Sequence, residues 1–293
     1  MYPVSFEYLR PKGIGDAVEW LRRYGDDAKL LAGGQSLVPM MKLRIARPKY
    51  LIDIHRIADL TYIREDSNEI RIGALTRHVE IEESPLLAAK LPMLREAASE
   101  IGDLQVRNRG TIGGGLVEAD PCGDYGPVAL ALNAQMRCIG PRGERVIPAA
   151  EFFTFAYTTA LEPDEILTEI AFSEPAKDSA GVYVKLEKVA GDFAIASAAV
   201  QLRLDASGAC REIGVGAAGG GTVPQKGSTV EALLRGKKID AALIEQAGQL
   251  IIENAEPIED LRGSGAYKKK ALSAILRRAL AEARRRAESA RTA

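Results

Sequence analysis

The sequence is poor in cysteine, which limits the redox centres that it can hold by itself. Its 293 residues include three cysteines, Cys122, Cys138 and Cys210, which are far apart and form no C-x-x-C pair. A disulfide framework needs more cysteines, and an iron–sulfur cluster is normally held by four thiolates. We therefore interpret the three as structural thiols. Any redox chemistry then has to come from an organic cofactor or from a partner subunit.

An excess of one charge and a long apolar run are also missing. The formal net charge is -1, so the composition predicts no nucleic-acid partner. No apolar run approaches the ~20 residues that a transmembrane helix needs, and Glu7 and Arg10 fall where a signal peptide would be apolar. With 46% hydrophobic and 27% charged residues the chain has the composition of a globular protein. We expect a cytoplasmic protein with about two domains.

Histidine is rarer still, and its placement argues against a metal site. His55 and His78 are the two histidines, and neither has Asp, Glu or Cys at ligand spacing. The sequence also has no convincing nucleophile and base pair. We therefore predict no metal ligand and no catalytic residue in this chain.

Two glycine-rich segments are the most informative feature that is present. They are Ala32, Gly33, Gly34, Gln35 and Ser36, and Thr111, Ile112, Gly113, Gly114 and Gly115. Glycines let backbone N–H groups approach a ligand closely, and a run of such donors suits a phosphate or diphosphate. Neither segment is a Walker motif or a G-x-G-x-x-G fingerprint. We predict that the two turns hold one dinucleotide from two sides.

The hydrophobic pattern predicts an α+β fold in two parts. Strands at 28–32 and 50–54 flank a short helix at 37–43, a β-α-β unit that favours parallel pairing. Asp120 and Pro121 are typical of a helix start. The polar stretch 173–179 is the best boundary, which predicts domains at 1–176 and 177–293. The second has three predicted strands, at 182–188, 195–204 and 210–217, the latter two forming a hairpin, and helices follow them.

Several motifs in order along the chain resemble the FAD-binding medium subunit of the molybdenum hydroxylases, the xanthine dehydrogenase family. Its aerobic carbon monoxide dehydrogenase branch is the most similar. The motifs are AGGQS at 32–36 with PMMKLR at 39–44, TIGG at 111–114 with Asp120, Pro121 and Asp124, KL at 185–186 with GDF at 191–193, and RGSGAY at 262–267. The resemblance runs essentially from end to end. It is specific for the family and much less specific for the substrate.

The resemblance implies a two-part FAD domain of the type shared by vanillyl-alcohol oxidase and para-cresol methylhydroxylase (PCMH), followed by a three-stranded antiparallel sheet with helices. It implies that both glycine segments hold the FAD diphosphate without a covalent bond. The other implied contacts are Asp124 with the ribitol or ribose, Ile101 with the flavin or adenine, Leu167 with the adenine, Lys185 with the cofactor, and Asp192 and Phe193 near the ring. Glu118 is left out, because an acid near a diphosphate is repulsive.

The resemblance further implies an electron-transfer role in a larger complex. A large subunit would carry molybdopterin, a small subunit would carry two [2Fe-2S] clusters, and electrons would pass through FAD here to an external acceptor. The expected assembly is a dimer of heterotrimers. Two alternatives remain open on the sequence. One is a stand-alone flavin oxidase or dehydrogenase acting on a small alcohol or amine, and the other is a scaffolding protein whose glycine turns are structural.

Overall fold

The computed structural model describes residues 2–292, and these residues form four β-sheets and twelve α-helices. In the N-terminal part, the elements follow the order β1 (Glu7–Leu9), α1 (Ile14–Tyr24), β2 (Ala28–Leu31), α2 (Leu37–Lys42), β3 (Tyr50–Asp53), β4 (Ile63–Asp66), β5 (Glu69–Gly73), α3 (His78–Glu83), α4 (Pro85–Lys90), α5 (Pro92–Ser99), α6 (Leu104–Arg107), α7 (Ile112–Glu118), α8 (Tyr125–Ala131), β6 (Gln135–Gly140), β7 (Gly143–Pro148), α9 (Ala149–Phe152), β8 (Phe153–Phe155), β9 (Thr158–Thr159) and β10 (Ile166–Ser173).

The C-terminal part contains β11 (Ser179–Leu186), β12 (Ala196–Leu204), β13 (Cys210–Ala218), β14 (Gln225–Lys226), α10 (Ser228–Leu234), α11 (Ala241–Leu250) and α12 (Gly265–Thr292). The β11, β12 and β13 strands are antiparallel neighbours, and the latter two form the predicted hairpin. The sheet also has a fourth strand, β14, which the prediction of three strands missed. Two residues are too few to give a readable alternation of apolar and polar side chains.

Besides the two-stranded sheet of β8 and β9, the N-terminal part is built on two larger sheets of different kind. The first has the parallel order β1-β3-β2, so the β-α-β unit predicted from the sequence is confirmed. The second has the antiparallel order β4-β5-β10-β6-β7. Each sheet has its own buried cluster, around Ile52 for the first and around Ile70 and Ile170 for the second. The cleft described below is lined by strands of both sheets.

The long C-terminal helix covers the last sheet with one apolar stripe. Buried side chains recur on α12 with helical spacing at Leu272, Ile275, Leu276, Ala279 and Ala283. They belong to the same buried cluster as apolar side chains of β12 and β13. The spacing of three and four residues places them on one face of the helix. The described residues include no helix long and apolar enough to cross a membrane.

One predicted helix start is wrong. Asp120 and Pro121 do not begin a helix, because the helix begins at Tyr125 with Asp124 before it. The Asp120 carboxylate instead accepts a hydrogen bond of 2.8 Å from the N–H of Cys122. Aspartate stabilises tight turns by this contact as readily as it caps helices, so the local pattern fits both. The four-residue shift brings Asp124 to the cleft wall.

Candidate functional site

A cleft of about 760 Å³ runs along the N-terminal part, within the usual size range of cofactor sites. It brings together fourteen of the sixteen predicted site residues, namely Ala32, Gly33, Gly34, Gln35, Ser36, Ile101, Thr111, Gly113, Gly114, Gly115, Asp124, Leu167, Asp192 and Phe193. The other two, Ile112 and Lys185, lie outside its wall. Ile112 is fully buried in the core, and Lys185 takes part in an ionic network behind the wall.

The first glycine segment forms the predicted turn between β2 and α2. Gly34 has a φ of +75°, a conformation that glycine adopts without strain. Among the described residues, no acceptor takes the backbone N–H groups of Gly33, Gly34, Gln35 or Ser36. All four residues line the cleft. An array of donors without protein acceptors beside a cleft fits an anionic diphosphate.

The second glycine segment has a different structure from the one predicted. It is the first turn of α7, with Thr111 as the N-cap. The N–H groups of residues 112–115 already have acceptors: Ile112 donates to the carbonyl of Thr76, Gly113 to that of Ala74, and Gly115 to that of Thr111. The N–H of Gly114 donates to Thr111 Oγ1 at 3.1 Å. The N–H groups of residues 112–115 are therefore not free to bind a diphosphate. Gly113 instead permits close packing, because a Cβ there would lie 2.6 Å from Ala74.

The two segments meet through backbone contact. A Cβ atom on Gly33 would lie 2.2 Å from the carbonyl oxygen of Arg109 and 2.7 Å from Cα of Gly110, directly before Thr111. No side chain fits at those distances. Gly33 is therefore required for the first turn to approach the start of α7, and the two segments form adjacent parts of one wall.

A buried ionic network supports the cleft from behind. Asp124 is 7% exposed, accepts a hydrogen bond of 2.6 Å from Tyr183, and lies 3.2 Å from Lys185 Nζ. Lys185 also lies 3.2 Å from Glu187 and donates to the carbonyl of Glu100 at 2.8 Å. Burial outweighs the attraction of Lys185 and raises the pKa of the Asp124 carboxyl to about 6. The network joins β11 to the loops that line the cleft.

Glu118 lies in the cleft wall, contrary to its exclusion from the predicted site. Its position at the end of α7 follows from the same helix that carries the second glycine segment. Burial, and secondly the neighbouring charge of Asp120, raise the pKa of the Glu118 carboxyl to about 7. The carboxyl is therefore partly protonated at neutral pH, which reduces the repulsion on which its exclusion was based.

Replacing Glu118 by glutamine is expected to stabilise the protein in a pH-dependent way. The pKa of the carboxyl is raised from 4.5 to about 7, so the folded protein loses stability as the pH rises through this interval. We expect Glu118→Gln to add about 1 kcal/mol near pH 8 and almost nothing near pH 4, after allowance for solvent screening. Urea unfolding at both pH values measures this. The exposed Glu144→Gln is the control, and equal stabilisation at both pH values would contradict the account.

His78 and Tyr125 form a neutral pair in the cleft wall that the sequence did not reveal as part of the site. His78 Nδ1 lies 3.0 Å from the Tyr125 hydroxyl, and His78 is 5% exposed. Burial lowers the pKa of His78 to about 4 and raises that of Tyr125 well above its usual value. Within residues 2–292 there is no cluster of three or more histidine, cysteine or acidic residues suited to a metal ion.

This combination of fold and cleft defines a dinucleotide-binding protein. One family model, described as the FAD binding domain in molybdopterin dehydrogenase, matches residues 4–174, and a second, the CO dehydrogenase flavoprotein C-terminal domain, matches residues 181–283. The chain therefore belongs to the FAD-binding medium subunits of the molybdenum hydroxylases.

Individual relatives are similar in sequence to this chain over nearly its whole length. The carbon monoxide dehydrogenase medium chain of Hydrogenophaga pseudoflava is 40% identical, over 96% of this chain and 97% of the relative. The 6-hydroxypseudooxynicotine dehydrogenase complex subunit alpha of Paenarthrobacter nicotinovorans is 35% identical over 98% and 97%. The solved carbon monoxide dehydrogenase from H. pseudoflava lacking the Mo-pyranopterin moiety superimposes with a TM-score of 0.95, at 42% identity over 97% of this chain and 98% of that chain. Such relatives favour a subunit of a complex over a stand-alone oxidase.

Proposed function

We propose that this chain passes electrons from the [2Fe-2S] clusters of a small subunit through FAD to an external acceptor, within a heterotrimeric molybdenum hydroxylase. The observation that carries the proposal is the row of unpartnered N–H groups at 33–36, which faces a cleft of about 760 Å³. A cradle of this kind holds a diphosphate without a cation.

The residues around the cradle suit the remaining parts of the cofactor. We assign the ribitol or ribose hydroxyls to Asp124, which lines the cleft. Ile101 and Leu167 offer apolar contacts to the rings, and Phe193, which is 42% exposed, lies at the rim. Lys185 has a different role from the predicted direct contact with FAD. Because its ammonium is paired with Asp124 behind the wall, it holds that carboxylate in place.

FAD, when bound, supplies the capacity to accept and deliver electrons singly or in pairs. The contribution of the chain is binding, orientation and local charge. The neutral His78 and Tyr125 pair presents no ionised group to the bound cofactor. The carboxyl of Glu118, with its pKa of about 7, is a group lining the described cleft that titrates at neutral pH.

The wider organisation is part of the same proposal. The molybdopterin of a large subunit would oxidise the substrate, and two heterotrimers would form the dimer. The domains are proposed at 1–176 and 177–293, which is supported by family matches ending at 174 and resuming at 181. A PCMH-type N-terminal fold is supported by the two sheets that line the cleft. The cytoplasmic location stays a prediction.

The test is reduction of the flavin by substrate in the purified complex without oxygen. Carbon monoxide, an aldehyde and an N-heterocycle are supplied in turn, because relatives act on chemically different substrates according to their names. We expect one of them to bleach the flavin absorption of the complex, and none to bleach that of this chain alone loaded with FAD. Bleaching of the isolated chain by a small alcohol or amine would instead establish the stand-alone oxidase.

A further inference from the structure

The segment at residues 187–193, between β11 and β12, borders the cleft. It is held by a backbone contact with the N-terminal part of the chain. We call this segment the strap. Gly191, Asp192 and Phe193 line the cleft. Gly191 has a φ of +84°, and a Cβ there would lie 2.8 Å from the carbonyl oxygen of Gly102, beside Ile101 in the cleft wall. The N–H of Gly191 also donates to Glu187 at 3.3 Å.

On its other side the strap is held by Arg262, which comes from the loop before α12. Arg262 Nη2 donates to Asp192 Oδ1 at 2.9 Å. The guanidinium carbon lies 5.7 Å from the centre of the Phe193 ring, within the range of a cation–π contact. This hydrogen bond is the main reason why the pKa of Asp192 is lowered. One arginine therefore contacts two adjacent residues of the cleft rim.

Arg262 is itself fixed by a buried support. Asp260 lies 3.5 Å from Arg262 Nη1 and 2.8 Å from Nζ of Lys268, whose side chain is 2% exposed. Lys268 also donates to the carbonyl of Ile258 at 2.7 Å. The loop that carries Arg262 is thus anchored to the first turn of α12. A rigid donor is the arrangement that keeps a partner in one position.

We propose that Arg262 is a positioning residue that holds Asp192 and Phe193 closed over the cofactor, and so slows the escape of FAD without touching it. Arg262 does not line the cleft, whereas the two residues that it contacts do. The inference rests on the proposed function only in that FAD occupies the cleft. It gives a role to the first residue of the RGSGAY motif at 262–267. The sequence analysis used this motif to indicate a family but assigned no function to it.

The test compares Arg262→Gln, Arg262→Lys, Asp192→Asn and the double variant Arg262→Gln/Asp192→Asn in the whole complex. The dissociation of FAD is followed by the rise in flavin fluorescence after dilution. We expect Arg262→Gln and Asp192→Asn each to accelerate dissociation about tenfold, because each removes a charge-assisted hydrogen bond. The double variant should be no faster than either single one, since both break the same contact. Arg262→Lys should recover part of the loss.

The control is Arg211→Gln, an exposed arginine of the same C-terminal part that lies 3.7 Å from Glu212, and it should leave the dissociation rate unchanged. The visible circular dichroism of the bound flavin provides a second measurement, and it should change in Arg262→Gln, Asp192→Asn and their double variant but not in Arg211→Gln. Wild-type rates and spectra in both variants would overturn the inference, as would effects that multiply in the double variant. A wild-type complex without flavin would instead refute the proposed function.

Discussion

Replacing Gly33 with alanine is expected to weaken FAD binding to the complex at least about tenfold, so that the purified complex keeps much less FAD than the wild type. The new Cβ would lie 2.2 Å from the carbonyl oxygen of Arg109, so the turn at 33–36 has to move away from the start of α7. Overpacking of this kind costs about 1–3 kcal/mol, and a loss of 1.4 kcal/mol in affinity is tenfold. The donors of the cradle would then no longer face the cleft.

Gly15→Ala is the matched control. Gly15 lies exposed in α1, and a Cβ atom there would have no other atom within 4 Å. This variant should therefore retain its FAD and gain about 0.5–1 kcal/mol in stability. Flavin absorbance relative to protein measures the content, and thermal unfolding of each variant measures the stability. A Gly33→Ala complex with full FAD content would show that the turn does not hold the cofactor.

Replacing Lys185 with methionine is expected to destabilise the protein by about 3–5 kcal/mol, because it leaves the buried carboxylate of Asp124 without its cation. The lysine side chain is 2% exposed, and methionine keeps most of its apolar length. The loss should grow as the pH rises above about 6, because the Asp124 carboxyl has a pKa of about 6 even beside Lys185, and removal of this cation raises that pKa further. Denaturant unfolding at several pH values measures the effect.

The exposed pair of Lys49 and Asp27 gives the control for this variant. Their side chains are 72% and 50% exposed and 2.9 Å apart, so Lys49→Met should change the stability far less than Lys185→Met does. The double variant Lys185→Met/Asp124→Asn should recover part of the loss, because the buried charge is gone. Equal costs for Lys185→Met and Lys49→Met would contradict a supporting role for the network.

The sequence predicted those helices and strands whose own residues show a clear spacing of apolar side chains. The β2–α2–β3 unit and strands β11, β12 and β13 have apolar residues at the right spacing, and glycine or polar turns separate them. Strand β1, with three residues, and strand β14, with two, lack such a pattern. Their pairing depends on neighbours distant in sequence, which a local pattern does not contain.

Most of the site residues predicted from the sequence line the cleft, but their hydrogen bonds and ion pairs could not be predicted. In the second glycine segment, Ile112 and Gly113 donate to Thr76 and Ala74, which lie about forty residues earlier in the chain and meet the segment only in the folded protein. The pairing of Lys185 with Asp124 is also a long-range contact that a local pattern does not contain. Glu118 was left out of the predicted site because an acid repels a diphosphate, and that argument did not include the raised pKa that burial gives its carboxyl.

The most direct test of the central claim is to identify the flavin released by the purified complex on acid precipitation. We expect FAD in the supernatant, about one molecule for each copy of this chain, because the proposed cradle at 33–36 would hold the diphosphate by hydrogen bonds alone, without a covalent bond. A complex that is fully assembled and yet releases no flavin, or whose flavin stays with the precipitated protein, would contradict this claim.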